Sequence, residues 1–158
     1  MKLVILPDSS SNDYEEHAEI AARGIDILVI DHHQADKISE HACIINNQLC
    51  DYPTKSLSGA GVVYKFCSYL DKLLGVNKAD QFLDLAALGM IADMVDLRDC
   101  ETRRLIEIGL KNVNNPYMSH ECSTQNFQIS KKGGLMPFTI SFYVAPLVNA
   151  TIRMGTPQ

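Results

Sequence analysis

The sequence predicts an α/β fold, a short parallel sheet with flanking helices, and three observations carry that expectation. Two apolar runs, "KLVILP" at residues 2–7 and "IDILVI" at residues 25–30, each end in a polar cluster. Neither run is a strict alternation of apolar and polar residues, which suits strands covered on both faces, as in a parallel sheet. Between them "DYEEHAEIAARG" has acidic residues early and a glycine at its end, the pattern of a helix. Strand, helix and strand in that order make a βαβ unit.

Taken in order, strands are expected near residues 3–6, 27–31 and 42–45, the third within "ACIINN". The first helix has Ser11 or Asn12 as its cap and Gly24 as its stop. A second runs from Ser58 to Gly75 in "SGAGVVYKFCSYLDKLLG", and a third opens at Asn77 in "NKADQFLDLAALGMIADMVDL". "RDCETRRLIEIGLKNVNNP" gives a fourth, ended by Asn115 and Pro116, and residues 117–136 read mostly as loop. The closing "FTISFYVAPLVNATIRMG" is apolar enough to pack, but Pro146 argues against one unbroken helix. With no long repeat, low-complexity tract or linker, residues 1–158 read as one domain.

Composition bounds the function. A chain of 158 residues with 46% hydrophobic residues can build a sizeable core. A net charge of -5 excludes holding nucleic acid through a broad basic surface, so any such contact must be local. Cys43, Cys50, Cys67, Cys100 and Cys122 form no CxxC pair and read as reduced thiols. No apolar run approaches a membrane span and no signal-like start is present, so a cytoplasmic location without a membrane partner is expected.

In open parallel sheets ligands bind beyond the carboxyl ends of the strands. Asp8, the cluster Asp31, His32 and His33, and the pair Asn46 and Asn47 should therefore share one rim. Carboxylates and imidazoles together offer hard oxygen and borderline nitrogen donors that suit Mn²⁺ or a similar divalent ion. Asp93 lies in an otherwise apolar segment, "LGMIADMVDL", where a buried charge needs a partner such as a metal or a histidine. Each residue also has a plain structural reading: Asp8 as a helix cap, the two histidines as packing or surface residues, Asp93 as the cap of the following turn. Gly59 and Gly61, at a helix start, either let backbone N–H groups approach a phosphate or allow close packing. Arg153 suits a bidentate phosphate contact and equally an exposed salt bridge. His17, His41 and His120 are expected at the surface.

Taken together, "LVILPDSSSND", "VIDHH", "DLAALGMIADMVDL", "YPTKSLSGAGVVYKF" and "FYVAPLVNATIRMG" resemble segments of the DHH phosphoesterase family, in particular its RecJ-like exonuclease branch. The resemblance spans nearly the whole chain. It implies that Asp8 bridges two metal ions, Mn²⁺ or Mg²⁺, that His32 and Asp93 bind one of them, and that Asp31 supports the site. It implies further that His33 faces the scissile phosphate and that Asn149 and Arg153, in the "NA..RMG" pattern, contact phosphate or nucleic acid. The implied reaction is two-metal hydrolysis of phosphodiesters in single-stranded DNA, in repair and recombination. The family's first motif, two aspartates separated by one residue after an opening strand, should precede Asp8, yet only seven residues do. The family's C-terminal nucleic-acid-binding domain would follow "NATIRMG". The expectation is thus a partial, N-terminally truncated DHH-type domain, weak or inactive alone, with an exposed sheet edge prone to self-association. Alternatives are a phosphodiesterase of short oligonucleotides or cyclic dinucleotides, and a non-catalytic replication or repair scaffold.

Overall fold

The computed structural model of the chain describes residues 2–111, 113 and 136–155, with the side chains of 151 and 152 excepted. Strands β1 (Leu3–Pro7), β2 (Asp26–Asp31) and β3 (Cys43–Asn46) form a parallel sheet in the order β1-β2-β3. The register pairs Pro7 with Ile30 and Asp31 with Asn46, so all three strands end together on one rim. β2, the central strand, buries Ile27, Val29, Ile30 and Asp31, as the unalternating run requires. β1 has no partner on its outer side among the described residues, and its Leu3 and Ile5 are exposed.

Helix α1 (Tyr14–Ala22) links β1 to β2 and stops at Gly24, which takes a left-handed φ of 71° and donates to the Ala21 carbonyl. Its start corrects the sequence reading: Asp13 holds the N-cap position, without a side-chain cap bond, because Ser11 is drawn into the sheet rim instead. His17, expected at the surface, is fully buried, the one buried residue of α1, and neither ring nitrogen has a hydrogen-bond partner among the described residues. His41 is exposed; His120, Cys122, the expected ends at Asn115 and Pro116 and all but the last residue of the expected loop at 117–136 lie outside the described residues.

Helix α2 (Gly59–Leu74) begins and ends as its sequence predicts: Ser58 Oγ accepts from Gly61 N–H, and Gly75 closes it with a left-handed φ of 66°. Asn77 is not the next cap. Asp71 reaches across the connection and accepts from the N–H groups of Lys78 and Ala79, both at 2.6 Å, capping a 3₁₀ turn (Ala79–Phe82) that leads into α3 (Leu83–Ala92). α4 (Cys100–Lys111) packs closely on α3, at a point where Gly109 leaves room for the Leu83 carbonyl and the Ala87 methyl. The last segment runs helically through Pro137–Thr139, Ile140–Val144 and Ala145–Met154, with the middle stretch widened to a π-helix. Pro146 does not end this run. It lies in the first turn after the π stretch, where a missing N–H is tolerated, and Ile140 and Val144 stay buried in the core. That core joins Ile30 of the sheet to Leu57, Val62, Met90 and Ile106 on the helical layer.

Candidate metal centre

The turn after β1 creates the site. Asp8 and Ser10 both take left-handed φ values, 60° and 74°, which aspartate tolerates better than most residues. Asp8 N–H donates to the Ile30 carbonyl at 2.9 Å, fixing its backbone beside the end of β2. His32, next along that rim, then lies with Nε2 3.2 Å from Asp8 Oδ1. Asp93, the C-cap residue of α3, brings Oδ2 to 3.7 Å from the same nitrogen. Met94 follows it with a left-handed φ of 53°, a conformation costly for a bulky side chain, and so turns the chain sharply just past Asp93.

Asp31 is the buried anchor beneath these groups, only 1% exposed. Its Oδ2 accepts from Ser11 N–H at 3.2 Å, while Oδ1 accepts from His32 N–H at 2.8 Å and contacts His33 Nδ1 at 2.7 Å. Burial pushes this carboxyl up, but the hydrogen bonds from Ser11, the His33 ring and the two histidine N–H groups outweigh it and hold the pKa at about 2. An ionised carboxylate only accepts, so His33 Nδ1 carries the proton and Nε2 is left for another partner. The hydrogen bond to Asp31 raises the His33 pKa, outweighing burial, and the charges of Asp31, Asp8 and Asp93 act in the same direction. The His33 side chain is 58% exposed, whereas that of His32 is 17% exposed, so His33 presents itself to solvent and His32 to its two carboxylates.

Asn46, at the end of β3, locks the arrangement from the side. Its Nδ2 donates to Ser11 Oγ at 2.8 Å and to the His33 carbonyl at 2.9 Å, and its own oxygen accepts from Gln48 N–H. From sequence, Asn46 is expected on this rim without a role, and Ser11 is expected as a helix cap rather than in this network. The signal available for both was their position at the carboxyl end of a parallel strand.

One donor atom from each of Asp8, Asp31, His32 and His33 falls within 4.8 Å of the others. Ligands of a small divalent ion at about 2.1 Å stand roughly 3 Å apart on adjacent vertices of an octahedron. The 3.2 Å and 3.7 Å separations around His32 Nε2 are close to that spacing, and carboxylate oxygen with imidazole nitrogen is the donor chemistry of Mn²⁺. The remaining expected residues lie as follows. Gly59 and Gly61 are buried at the start of α2, the former against Asp8 and the latter against Leu57 and Met90. Asn149 and Arg153 are exposed on the last helical stretch.

Known proteins resemble this chain in sequence and fold. The N-terminal domain of the DHH family matches residues 2–90. YorK of Bacillus subtilis (strain 168), a prophage-derived protein named as a single-strand DNA-specific exonuclease, is 45% identical over 157 residues, 99% of this chain and 27% of YorK. The single-stranded-DNA-specific exonuclease RecJ of the same organism is 30% identical over 155 residues, 96% of this chain and 19% of that protein. Among solved structures, RecJ of Thermus thermophilus in complex with Mn²⁺ superposes with a TM-score of 0.83 at 25% identity, over 98% of this chain and 23% of that one. A second exonuclease RecJ, bound to manganese, gives a TM-score of 0.82 at 25% identity, over 98% of this chain and 39% of that one. The chain therefore spans 27% or less of the curated relatives compared. On the parallel rim, the DHH cluster at its centre and the match over residues 2–90, this chain belongs to the DHH family, with RecJ-type proteins among its relatives.

Proposed function

We propose that this chain is the catalytic-domain portion of a metal-dependent hydrolase acting on phosphodiester bonds of single-stranded DNA. The observation that carries the reading is His32 Nε2 flanked on the sheet rim by Asp8 Oδ1 at 3.2 Å and Asp93 Oδ2 at 3.7 Å, beside a buried, ionised Asp31. Asp8, His32 and Asp93 would hold Mn²⁺ or Mg²⁺. A divalent ion bound there supplies an activated water and offsets charge on the phosphate oxygens. Asp31 keeps the His33 proton on Nδ1 and fixes the ring, so that the exposed Nε2 edge faces an incoming phosphate and, when protonated, donates to one of its oxygens. Gly59, Gly61, Asn149 and Arg153 are assigned to the phosphate or the strand on the resemblance of their motifs. Roles in DNA repair and recombination belong to the same reading.

Three protein ligands fix one ion, and a two-metal reaction needs a second held about 4 Å away. We therefore assign the chain by itself weak Mn²⁺ binding and slow hydrolysis. The experiment compares three proteins on end-labelled single strands with added Mn²⁺: this chain, a version preceded by a strand ending in Asp-x-Asp, and that longer version with His32→Ala. A large gain on extension, abolished by His32→Ala, is the expected result. Full activity in the short chain would overturn the ligand assignment, and no activity in any version would overturn the hydrolase reading in favour of a scaffold.

A further inference from the structure

Gly59 is the first residue of α2, and its backbone does not need glycine: the left-handed glycines among the described residues are Gly24 and Gly75. What occupies the space of its missing side chain is Asp8. A Cβ built on Gly59 would overlap the Asp8 carboxylate, its Oδ1 above all, followed by Cγ and Cβ at 2.5 and 2.7 Å. The same Oδ1 is the atom that stands 3.2 Å from His32 Nε2. Any larger residue at 59 must move that oxygen off the rim. The neighbouring glycine differs, since a Cβ on Gly61 would meet only Leu57 and Met90, at 3.2 Å.

We infer that Gly59 is a positioning residue for the metal centre: by carrying no side chain it lets the Asp8 carboxylate lie on the start of α2, in reach of His32. This rests on the metal-site reading above, but its core is a steric coupling between two residues that exists without any ion. Asp8 is exposed, so a methyl at 59 displaces its side chain and the turn that carries it rather than disrupting the core. On helix propensity alone alanine at this position would stabilise the protein, because glycine has the larger conformational freedom to lose.

The test is a cycle of four proteins: the unaltered chain, Gly59→Ala, Asp8→Gly, which removes the Asp8 Cβ as well as its carboxylate, and the double variant. Each is examined by thermal unfolding in a chelator and by calorimetric titration with Mn²⁺. In chelator, Gly59→Ala should lower the melting temperature when Asp8 is present and raise or leave it unchanged in the Asp8→Gly background. With Mn²⁺, Gly59→Ala should weaken binding about tenfold or more, the range typical of residues that orient a ligand, and should have no further effect once Asp8 is gone. Additive effects on melting temperature would overturn the coupling. An unchanged Mn²⁺ affinity in Gly59→Ala, with binding present in the unaltered chain, would overturn the positioning role. If the unaltered chain takes up no Mn²⁺ while the melting temperatures still couple, the metal-site reading fails and with it the positioning role, leaving only the steric contact.

Discussion

Replacing Asp31 by asparagine tests the electrostatic foundation of the site, because the change keeps the shape and removes the charge. Asp31 accepts on both oxygens: Ser11 N–H on one side, and His32 N–H with the His33 ring on the other. An asparagine can present its oxygen to only one side. Turned toward the histidines, it points its own N–H groups at Ser11 N–H, leaving a buried donor unsatisfied at a cost of about 1–3 kcal/mol. The charge contributes separately. Holding the carboxyl at about 2 instead of 3.8 corresponds to about 2 kcal/mol of folding stability at neutral pH. A carboxyl depressed in the folded state contributes fully above its unfolded value and loses that contribution as pH falls through the folded one. Asp31→Asn should therefore destabilise by about 3–5 kcal/mol at pH 7. The gap between the two proteins should begin to close below about pH 4, with roughly half of the charge contribution left at pH 3. Urea unfolding of both proteins at pH 7, 5, 4 and 3 measures the gap directly, since carboxyls common to both cancel. A difference under about 1 kcal/mol at pH 7, or one constant down to pH 3, would refute the account.

Gly109→Ala should destabilise by about 1–3 kcal/mol, since the new methyl must fit against the Leu83 carbonyl and Ala87 at 2.6 and 2.7 Å, and a lowered melting temperature is the readout. Tyr52→Phe removes the hydroxyl that donates to Glu101, the carboxylate also paired with Lys65 at 2.7 Å, and should cost about 1 kcal/mol in denaturant unfolding. The outer edge of β1, unpaired among the described residues and carrying exposed Leu3 and Ile5, should drive concentration-dependent self-association. Ile5→Lys should abolish that association in sedimentation velocity, and a concentration-independent monomer in the unaltered chain would contradict the idea.

The sequence by itself determined the βαβ unit, the limits of α2 and the shared rim of Asp8 and Asp31 to His33. Each follows from short-range rules: an apolar run long enough for a strand, a serine that caps, a glycine that turns left-handed, and a parallel topology that sends every strand's carboxyl end the same way. The end of α1 at Gly24 was legible for the same reason, whereas its start was not. Ser11 has the chemistry of a cap, but a buried Asp31 twenty positions on competes for it, and that competitor is invisible to local spacing. Asn77 lost its expected role to Asp71 in the same way. Only the tertiary structure decided that α3 ends at Asp93, that Gly59 makes room for Asp8, and that His17 faces inward. Those three facts depend on how helices of given length and side-chain volume settle against the sheet. Packing of that kind is a property of surfaces distant in sequence, which no periodicity within a single segment encodes.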